Sequence, residues 1–337
     1  MGRGVWIAAC KGVFMFQPFR IMWWCLPLLA MLPLSMQQAR AASLNCRFDV
    51  DNLLFGTINV LTGASVSTTG NVQIRCRGNP NQWVTICPNI GSGTGNPTAY
   101  DPRQMDKWGS STAKLNFNIF WPTSSAIWGS FLWPYPPTPP VFHIQLDSSG
   151  RNTVNRSMPA TIFGGQYGAI PGTYISRFRN SHVAFQYQDG IHAQCTAPAG
   201  TRTPRFRVRA KVDKACEVSA TDLDFGAVGN LDNAVDATAT ITVRCTNTTP
   251  YKVRIDGGNT GTTNPTNRKM SNGAYDITYG IYRDAARTQG WGRWNSNDVD
   301  ATGTGYPQTF TAYGRVPVQP TPPPGTYIDT LVVSVVF

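Results

Sequence analysis

Short runs of apolar and β-branched residues, separated by turns rich in Gly, Asn, Pro and Ser, recur along the chain after residue 43. Such runs are typical of β-strands rather than of amphipathic helices, so the pattern predicts an all-β fold. We call residues 43–212 the upstream part and residues 213–337 the downstream part. Upstream strands are predicted at 44–50, 71–77, 82–87, 114–121, 160–168, 173–187 and 203–212. Downstream strands are predicted at 215–219, 238–246, 250–256, 275–284, 307–314 and 326–337.

The last predicted strand, 326–337, is largely apolar on both faces, which is typical of a strand inside a sheet rather than at a wet edge. Because the sequence ends in this strand, we expect an open sheet edge that a strand from another chain fills. Apart from Asp329, the residues of one face are apolar, and we predict that they form the acceptor for that strand: Tyr327, Leu331, Val333, Val335 and Phe337.

The two parts of the sequence repeat each other in the same order. Phe55-Gly56 begins nine residues after Cys46, and Phe225-Gly226 begins nine residues after Cys216. Order kept over more than a hundred residues indicates one fold used twice, as two tandem immunoglobulin-like β-sandwiches. The further matches are Val72–Cys76 with Ile241–Cys245, Arg103–Met105 with Arg268–Met270, Leu115–Phe120 with Ile277–Tyr282, and Pro171–Tyr174 with Pro324–Tyr327.

The two parts differ at their ends. The upstream part continues into 203–212, a credible last strand that would complete its own sheet. The downstream part has no such continuation. We therefore predict a complete domain at 43–212 and an incomplete sandwich at 213–337.

Residues 1–42 predict an export signal. A basic front section precedes a 14-residue apolar run at 21–34, and Ala39-Arg40-Ala41 supplies the small residues of a cleavage site before Ala42. A membrane anchor is the alternative, but a span needs about 20 residues. The translation start could also be Met15. The low charged fraction of 14%, with 32 Gly and 25 Pro, suits an exported all-β protein.

Six of the eight cysteines follow the predicted signal, and an even number in an exported chain favours disulfides. If each repeat closes its own loop, the bonds are Cys46–Cys76 and Cys216–Cys245, which leaves Cys87 to pair with Cys195. Each loop of about 30 residues would then contribute about 3–4 kcal/mol. The spacing C-x-x-C is absent, so the sequence gives no support for a zinc site.

The charge balance does not indicate a nucleic-acid partner. Removing the signal takes four basic residues and no acidic one, which lowers the formal net charge from +11 to +7. The basic residues are scattered, except for Arg205, Arg207, Arg209 and Lys211 on alternate positions of one predicted strand. We interpret these four as one solvated strand face.

Taken together, the Cys-x8-Phe-Gly spacing, the Val-Arg-Cys strand at 243–245 and the terminal Pro-Gly-Thr-Tyr strand resemble the spore coat protein U domain family. That family includes the subunits of archaic, Csu-type chaperone–usher pili. The resemblance implies a periplasmic chaperone, an outer-membrane usher and an adjacent pilin subunit that donates a strand as partners. Only Ala42–Asn45 precede Cys46, too few to serve as a donor strand of about ten residues. The expectation is therefore a two-domain adhesin at the pilus tip, exported through the periplasm to the cell surface.

An aromatic, proline-rich insertion at 121–140 enlarges the upstream part. Prolines exclude most of it from a central strand, so we predict a surface loop that attaches to hydrophobic surfaces in biofilm formation. Alternatives are that these rings fill an enlarged core, or that the tip binds glycans with Asn116, Asn118, Asp101 or Arg103. A structural pilus or coat subunit is a further alternative. The predicted contact residues are Trp121, Ile127, Trp128, Phe131, Leu132, Trp133 and Tyr135.

Catalysis is not indicated. The three histidines, His143, His182 and His192, accompany no nucleophile elbow or paired-acid motif. We therefore predict no enzymatic activity, no cofactor and no metal.

Overall fold

The computed structural model describes residues 42–98, 100–133, 137–294 and 296–337, all within one compact unit of the chain. The predicted export signal and Tyr135 lie outside these ranges. The described residues contain no α-helix, and the only helical turns among them are three short 3-10 turns at 60–62, 180–182 and 258–260. The predicted all-β class is confirmed.

Within the described ranges, no helix combines the length and the apolar character that a membrane crossing requires.

The described upstream residues form twelve strands. They are β1 (Asn45–Val50), β2 (Leu53–Ile58), β3 (Val66–Arg77), β4 (Trp83–Ile90), β5 (Arg103–Lys107), β6 (Lys114–Ile119), β7 (Phe142–Gln145), β8 (Arg151–Ile162), β9 (Gly172–Phe178), β10 (Val183–Asp189), β11 (Gly200–Arg202) and β12 (Phe206–Val212).

Eight strands are drawn from the downstream part. They are β13 (Cys216–Ala220), β14 (Val235–Cys245), β15 (Pro250–Ile255), β16 (Arg268–Ser271), β17 (Asp276–Tyr282), β18 (Val299–Thr302), β19 (Gln308–Val316) and β20 (Val333–Val336).

The upstream strands form an eight-stranded sheet, in the order β1-β3-β8-β6-β5-β9-β12-β2, and a four-stranded sheet, β11-β10-β4-β7. Alternation along the strands turns one row of side chains from each sheet inward. The resulting core contains Ile74, Phe117 and Phe185, each fully buried. The structure therefore has the paired sheets of a β-sandwich.

The downstream strands form a five-stranded sheet, in the order β13-β14-β19-β17-β16, and a three-stranded sheet, β18-β15-β20. Its own buried cluster includes Val243, Ile281 and Trp291. By the sequence repeat, the five-stranded downstream sheet is the counterpart of strands β1-β3-β8-β6-β5 in the upstream sheet. The larger upstream sheet continues beyond that point with β9, β12 and β2, and the described downstream residues form no strand in those three places.

The three disulfides expected from the sequence are present. Cys46–Cys76 joins directly opposite residues of β1 and β3, and Cys216–Cys245 does the same for β13 and β14. Cys87–Cys195 ties β4 to the loop that follows β10.

Three predicted strands differ from the structure. The prediction at 160–168 was wrong after Ile162, since residues 163–168 form a loop; the polar alternation of the preceding residues had concealed most of β8. The prediction at 173–187 divides into β9 and β10 around Asn180, whose φ is 52°. Of the strand predicted at 326–337, the structure forms only β20 and a single bridge between Ile328 and Ser271. Residues 326–331 have a neighbouring strand on one side only.

The two sandwiches meet at Tyr167, in the loop after β8. The guanidinium of Arg244 lies 4.2 Å from the Tyr167 ring centre, and the ring of Tyr306 packs edge-on at 5.9 Å. Gly305 has a φ of 83°, and a Cβ there would collide with the carbonyl oxygen of Tyr167. Tyr167 therefore belongs to the junction between the sandwiches. The domain boundary after residue 212 stays a prediction.

Candidate functional site

A groove of about 660 Å³ opens on one side of the downstream sandwich. One wall is residues 220–225, the segment after β13, and the other is residues 327–333, the segment leading into β20. Its floor is apolar, formed by core side chains that include Ile241, Ile255, Ile281 and Ala312.

The corresponding place in the upstream sandwich is filled by β12. This strand runs antiparallel to β9 and parallel to β2, and so bridges the two. Its alternate residues Phe206, Val208, Ala210 and Val212 are buried in the core, while the basic residues between them face solvent. The rings of Phe178 and Phe206 stack at 4.5 Å across the β9–β12 pair.

The repeat places Tyr327–Leu331 where the upstream sandwich has Tyr174–Phe178 of β9. A shared hydrogen bond supports this match: the hydroxyls of Tyr174 and Tyr327 each donate, at 2.8 Å, to the carbonyl four residues earlier. Residues 223–228 likewise stand where the upstream sandwich has β2. The groove therefore lies at the position that β12 occupies upstream.

The predicted acceptor residues separate into two groups. Tyr327, Leu331 and Val333 line the groove. Val335 packs half-buried against the core on β20, which pairs with β15. Phe337 is 53% exposed and borders a different cleft, so it does not belong to the groove.

The opposite wall was missed by sequence analysis. Leu223 and Phe225 line the groove, and the ring of Phe225 packs edge-on against Tyr279 at 6.0 Å. The Phe-Gly pair that repeats at 55–56 and 225–226 could have identified this wall, because its upstream copy lies in β2 beside β12.

Asp329 is one of three carboxylates on the walls of the groove, with Asp222 and Asp224 on the opposite wall. The hydroxyl of Tyr279 donates to Asp329 Oδ2 at 2.6 Å, and the backbone amide of Asn259 donates to Oδ1 at 2.7 Å. Burial, together with the hydrogen bond to Asp329, raises the pKa of Tyr279. Asp329 is thus held by the downstream sandwich itself and is not left without partners.

Trp128 was wrongly predicted to contact a surface. It is fully buried, and its indole N–H donates to the carbonyl of Pro88 at 2.6 Å. Trp291 is its downstream counterpart, since it is also buried and donates to the carbonyl of Val253 at 3.0 Å. The Trp-Gly pair occurs at both positions, so the sequence repeat already indicated that Trp128 and Trp291 are counterparts.

The polar residues considered for glycan binding also belong mainly to the interior. Arg103 and Asn118 are fully buried, and the guanidinium donates to Asn118 Oδ1 at 2.7 Å. Asp101 accepts from Asn118 Nδ2 at 3.3 Å. Asn116 Oδ1 accepts from Gln104 Nε2 at 3.0 Å. The glycan site proposed on these residues is therefore wrong for Arg103 and Asn118.

The aromatic insertion is anchored by the buried side chain of Asn89. Its Oδ1 accepts from the backbone amide of Phe131 at 2.7 Å and from the hydroxyl of Ser130 at 3.1 Å. Its Nδ2 donates to the carbonyls of Cys87 and Ala184, each at 3.1 Å. Ser130 and Phe131 are thus held at a fixed base on β4.

The side chains beyond this base reach solvent to different degrees. Leu132 is 46% exposed, while Phe131 and Trp133 are half-buried. Trp121 and Ile127 are also half-buried, and the Trp121 indole donates to the carbonyl of Thr138 at 3.2 Å. The accessible part of the predicted surface is therefore centred on residues 131–133.

The sequence model of the Spore Coat Protein U domain matches residues 33–131 and 202–334, which together exceed half of the chain. The chain belongs to the Spore Coat Protein U domain family. The resemblance inferred from its motifs is therefore confirmed, and the family and fold are those of structural, non-enzymatic proteins.

One relative and one solved structure illustrate the similarity. Protein U of Myxococcus xanthus is 30% identical over 157 residues, which cover 42% of this chain and 88% of that protein. The crystal structure of the CsuC–CsuE chaperone–tip adhesion subunit pre-assembly complex, from archaic chaperone–usher Csu pili of Acinetobacter baumannii, has a similar fold. The TM-score is 0.52 at 16% identity, over 87% of this chain and 100% of that chain.

Proposed function

We propose that this protein is the adhesive tip subunit of a chaperone–usher pilus. In this proposal the protein is exported through the periplasm, where a chaperone covers the downstream groove. An outer-membrane usher then mediates exchange of the chaperone for a β-strand of the adjacent pilin subunit. The upstream sandwich needs no donor and is free to contact a target at the cell surface.

One observation carries the proposal: β12 fills the upstream counterpart of a groove that stands open downstream. An incoming strand can pair with Tyr327–Leu331 on one side and with residues 223–228 on the other, as β12 pairs with β9 and β2. It would place alternate apolar side chains on the floor formed by Ile241 and Ile281. Burial of apolar area contributes about 25 cal/mol per Å², and pairing removes an exposed sheet edge.

The strand-acceptor proposal is tested by supplying the strand within the same chain. A copy of residues 205–212 is fused after Phe337, through a flexible linker matched in length to residues 190–205. The matched control carries Phe206→Asp, Val208→Asp and Ala210→Asp in the copied segment only. Both are compared with the unextended mature chain in periplasmic yield, oligomeric state and thermal unfolding.

The extended chain should be monomeric without a chaperone, and its downstream transition should rise by about 10 °C or more. A few kcal/mol of added stability shifts the Tm of a domain of this size by several degrees for each kcal/mol. The control should behave like the unextended chain. The proposal fails if the unextended chain is already monomeric and cooperatively folded, or if the control gives the same rise.

For the upstream sandwich, we propose that Phe131, Leu132 and Trp133 make apolar contact with the target surface. Leu132→Ser with Trp133→Ser should leave folding intact and reduce attachment of piliated cells to a hydrophobic surface by at least about tenfold, given the apolar area removed. Trp108→Ser is the control, since Trp108 is 67% exposed on the β5–β6 hairpin. Unchanged attachment of the double variant would exclude this loop, and inhibition by free sugars would favour the glycan alternative.

A further inference from the structure

Four arginines lie next to one another on the outer face of the eight-stranded sheet. Arg47 of β1 is directly opposite Arg75 of β3, and Arg77 of β3 is directly opposite Arg151 of β8. Opposite residues of paired strands have Cβ atoms about 5 Å apart, and alternate residues along one strand about 7 Å apart. We call Arg47, Arg75, Arg77 and Arg151 the arginine cluster. It lines a shallow cavity of about 510 Å³.

Much of the charge of this cluster is not neutralised. Among the described residues, the only acidic one that lines the cavity is Asp49, which pairs with Arg75. Within the described part of the chain, the guanidinium groups of Arg47, Arg77 and Arg151 make no hydrogen bond or ion pair. The nearby carboxylate of Asp147 attracts Arg151 electrostatically without an ion pair, and it accepts from the backbone amides of Ser149 and Arg151. Like charges directly opposite each other destabilise a sheet, so this arrangement favours an anionic partner.

The cluster is also rigid and accessible. The Cys46–Cys76 disulfide joins β1 and β3 on the opposite face, between the arginine pairs, and fixes their register. Arg151 begins β8, whereas Ile162 at its far end leads to the junction with the downstream sandwich. Twelve strand residues separate the two ends by roughly 35 Å. The cluster therefore lies at the end of the upstream sandwich remote from the downstream sandwich.

We propose that the arginine cluster is a binding site for an acidic polysaccharide, one that carries sulfate or carboxylate groups. Guanidinium groups bind both kinds of acid through paired N–H donors. Amide and hydroxyl side chains surround them on the same three strands, and these groups hydrogen-bond to sugar hydroxyls. The surrounding residues are Asn45 and Thr153 in the cavity, with Gln73 and Asn155 on the same face.

The surface does not match a site for single-stranded nucleic acid. Among the described residues, no aromatic side chain lines the cavity, although binding of single strands depends on stacking of bases on aromatic rings. A second basic row runs along one strand, β12, and consists of Arg205, which directly precedes the strand, and Arg207, Arg209 and Lys211 within it. Lys211 pairs with Asp213 at 3.4 Å. This row has the same side-chain chemistry in a different geometry, and it supplies a matched control.

The test measures binding of the mature full chain, purified from the periplasm, to four probes. They are a sulfated heparin oligosaccharide, a carboxylate-only polyuronate oligosaccharide, neutral dextran and a DNA duplex. The test variant carries Arg47→Gln, Arg77→Gln and Arg151→Gln, and the control carries Arg205→Gln, Arg207→Gln and Arg209→Gln. Both lose the same formal charge, and their thermal unfolding is compared with that of the wild type.

The proposal is supported if either acidic oligosaccharide binds the wild type and its affinity falls at least about tenfold in the test variant. In the control, the affinity should change by no more than about twofold. The two acidic probes show whether sulfate or carboxylate is preferred, and dextran should not bind. The proposal is overturned if neither acidic probe binds, if the control loses as much affinity as the test variant, or if the DNA duplex binds more tightly than both. Should the test variant not fold, Arg151→Gln alone must still weaken binding, or the proposal fails.

Discussion

The guanidinium of Arg103 donates a hydrogen bond to the backbone carbonyl of Trp128 at 2.6 Å. Arg268 makes the same contact with Trp291 in the downstream sandwich, at 2.8 Å. All four side chains are buried. Each sandwich therefore contains an arginine that satisfies several carbonyls around a buried tryptophan, and burial lowers the pKa of Arg103 to about 10.

Replacing Arg103 should strongly destabilise the upstream sandwich. Besides Trp128, its guanidinium binds the carbonyls of Ile90 and Gly91, at 3.0 and 2.8 Å. Arg103→Met would leave these buried acceptors unsatisfied, so we expect the free energy of unfolding to fall by about 3 kcal/mol or more. Urea unfolding measures this. Arg207→Met, on the exposed face of β12, is the control and should change it by less than about 0.5 kcal/mol.

Buried and exposed residues of the aromatic insertion should differ in how much their replacement lowers the stability of the fold. Trp128→Ala removes a buried indole and should cost about 3–5 kcal/mol. Leu132→Ala changes an exposed side chain and should cost less than about 0.5 kcal/mol. Thermal unfolding of both variants checks this. Equal effects would mean that Leu132 is part of the core or that Trp128 is not.

The sequence repeat predicted more of the molecule than the aromatic composition did. It led to the correct cysteine pairs, and the strand predicted at 203–212 was recognised because it has no downstream counterpart. Applied to the Trp-Gly pair, the same comparison would have placed Trp128 in the core beside its counterpart Trp291. The many prolines instead suggested an exposed loop. Composition alone cannot distinguish a buried tryptophan from an exposed one within a loop.

Other features depend on tertiary register, which no local pattern contains. Arg47 and Arg151 are far apart in the sequence and come to share one face of the sheet only because β3 pairs with both β1 and β8. Tyr167 lies in a Gly-rich loop, and nothing near it in the sequence indicates its contact with Arg244. The groove was predicted through one wall only, because residues 223–228 do not have the length or alternation of a strand.

The disulfides should differ in what they contribute. Cys87–Cys195 closes a loop with a sequence separation of 108, against 30 for Cys46–Cys76. In the chain-entropy account the longer loop gives about 4–5 kcal/mol and the shorter about 3–4 kcal/mol. Cys87→Ala with Cys195→Ala should therefore lower upstream stability more than Cys46→Ala with Cys76→Ala does. Chemical unfolding under non-reducing conditions decides this, and the reverse order would contradict it.

Weakening the junction should uncouple the two sandwiches without altering either core. Tyr167→Ala removes the contacts with Arg244 and Tyr306, which are together expected to contribute about 1–2 kcal/mol. Calorimetry should show the two unfolding transitions moving further apart. Tyr275→Ala, at an exposed residue remote from the junction contacts, serves as the control. An unchanged pair of transitions would mean that the junction carries no coupling.

Alkaline pH should destabilise the downstream sandwich through Tyr279. Its pKa is raised by burial and by its hydrogen bond to Asp329, so the folded state holds this proton more tightly than the unfolded chain does. The contribution to stability is therefore complete below the unfolded pKa of about 10 and is lost as the pH rises above it. Tyr279→Phe removes the proton and should flatten the fall in stability between about pH 9 and pH 11. A smaller slope should remain, since burial also raises the pKa of Tyr251. Tyr275→Phe is the exposed control, and equal slopes in the two variants would show that the Tyr279–Asp329 pair does not control the alkaline limit.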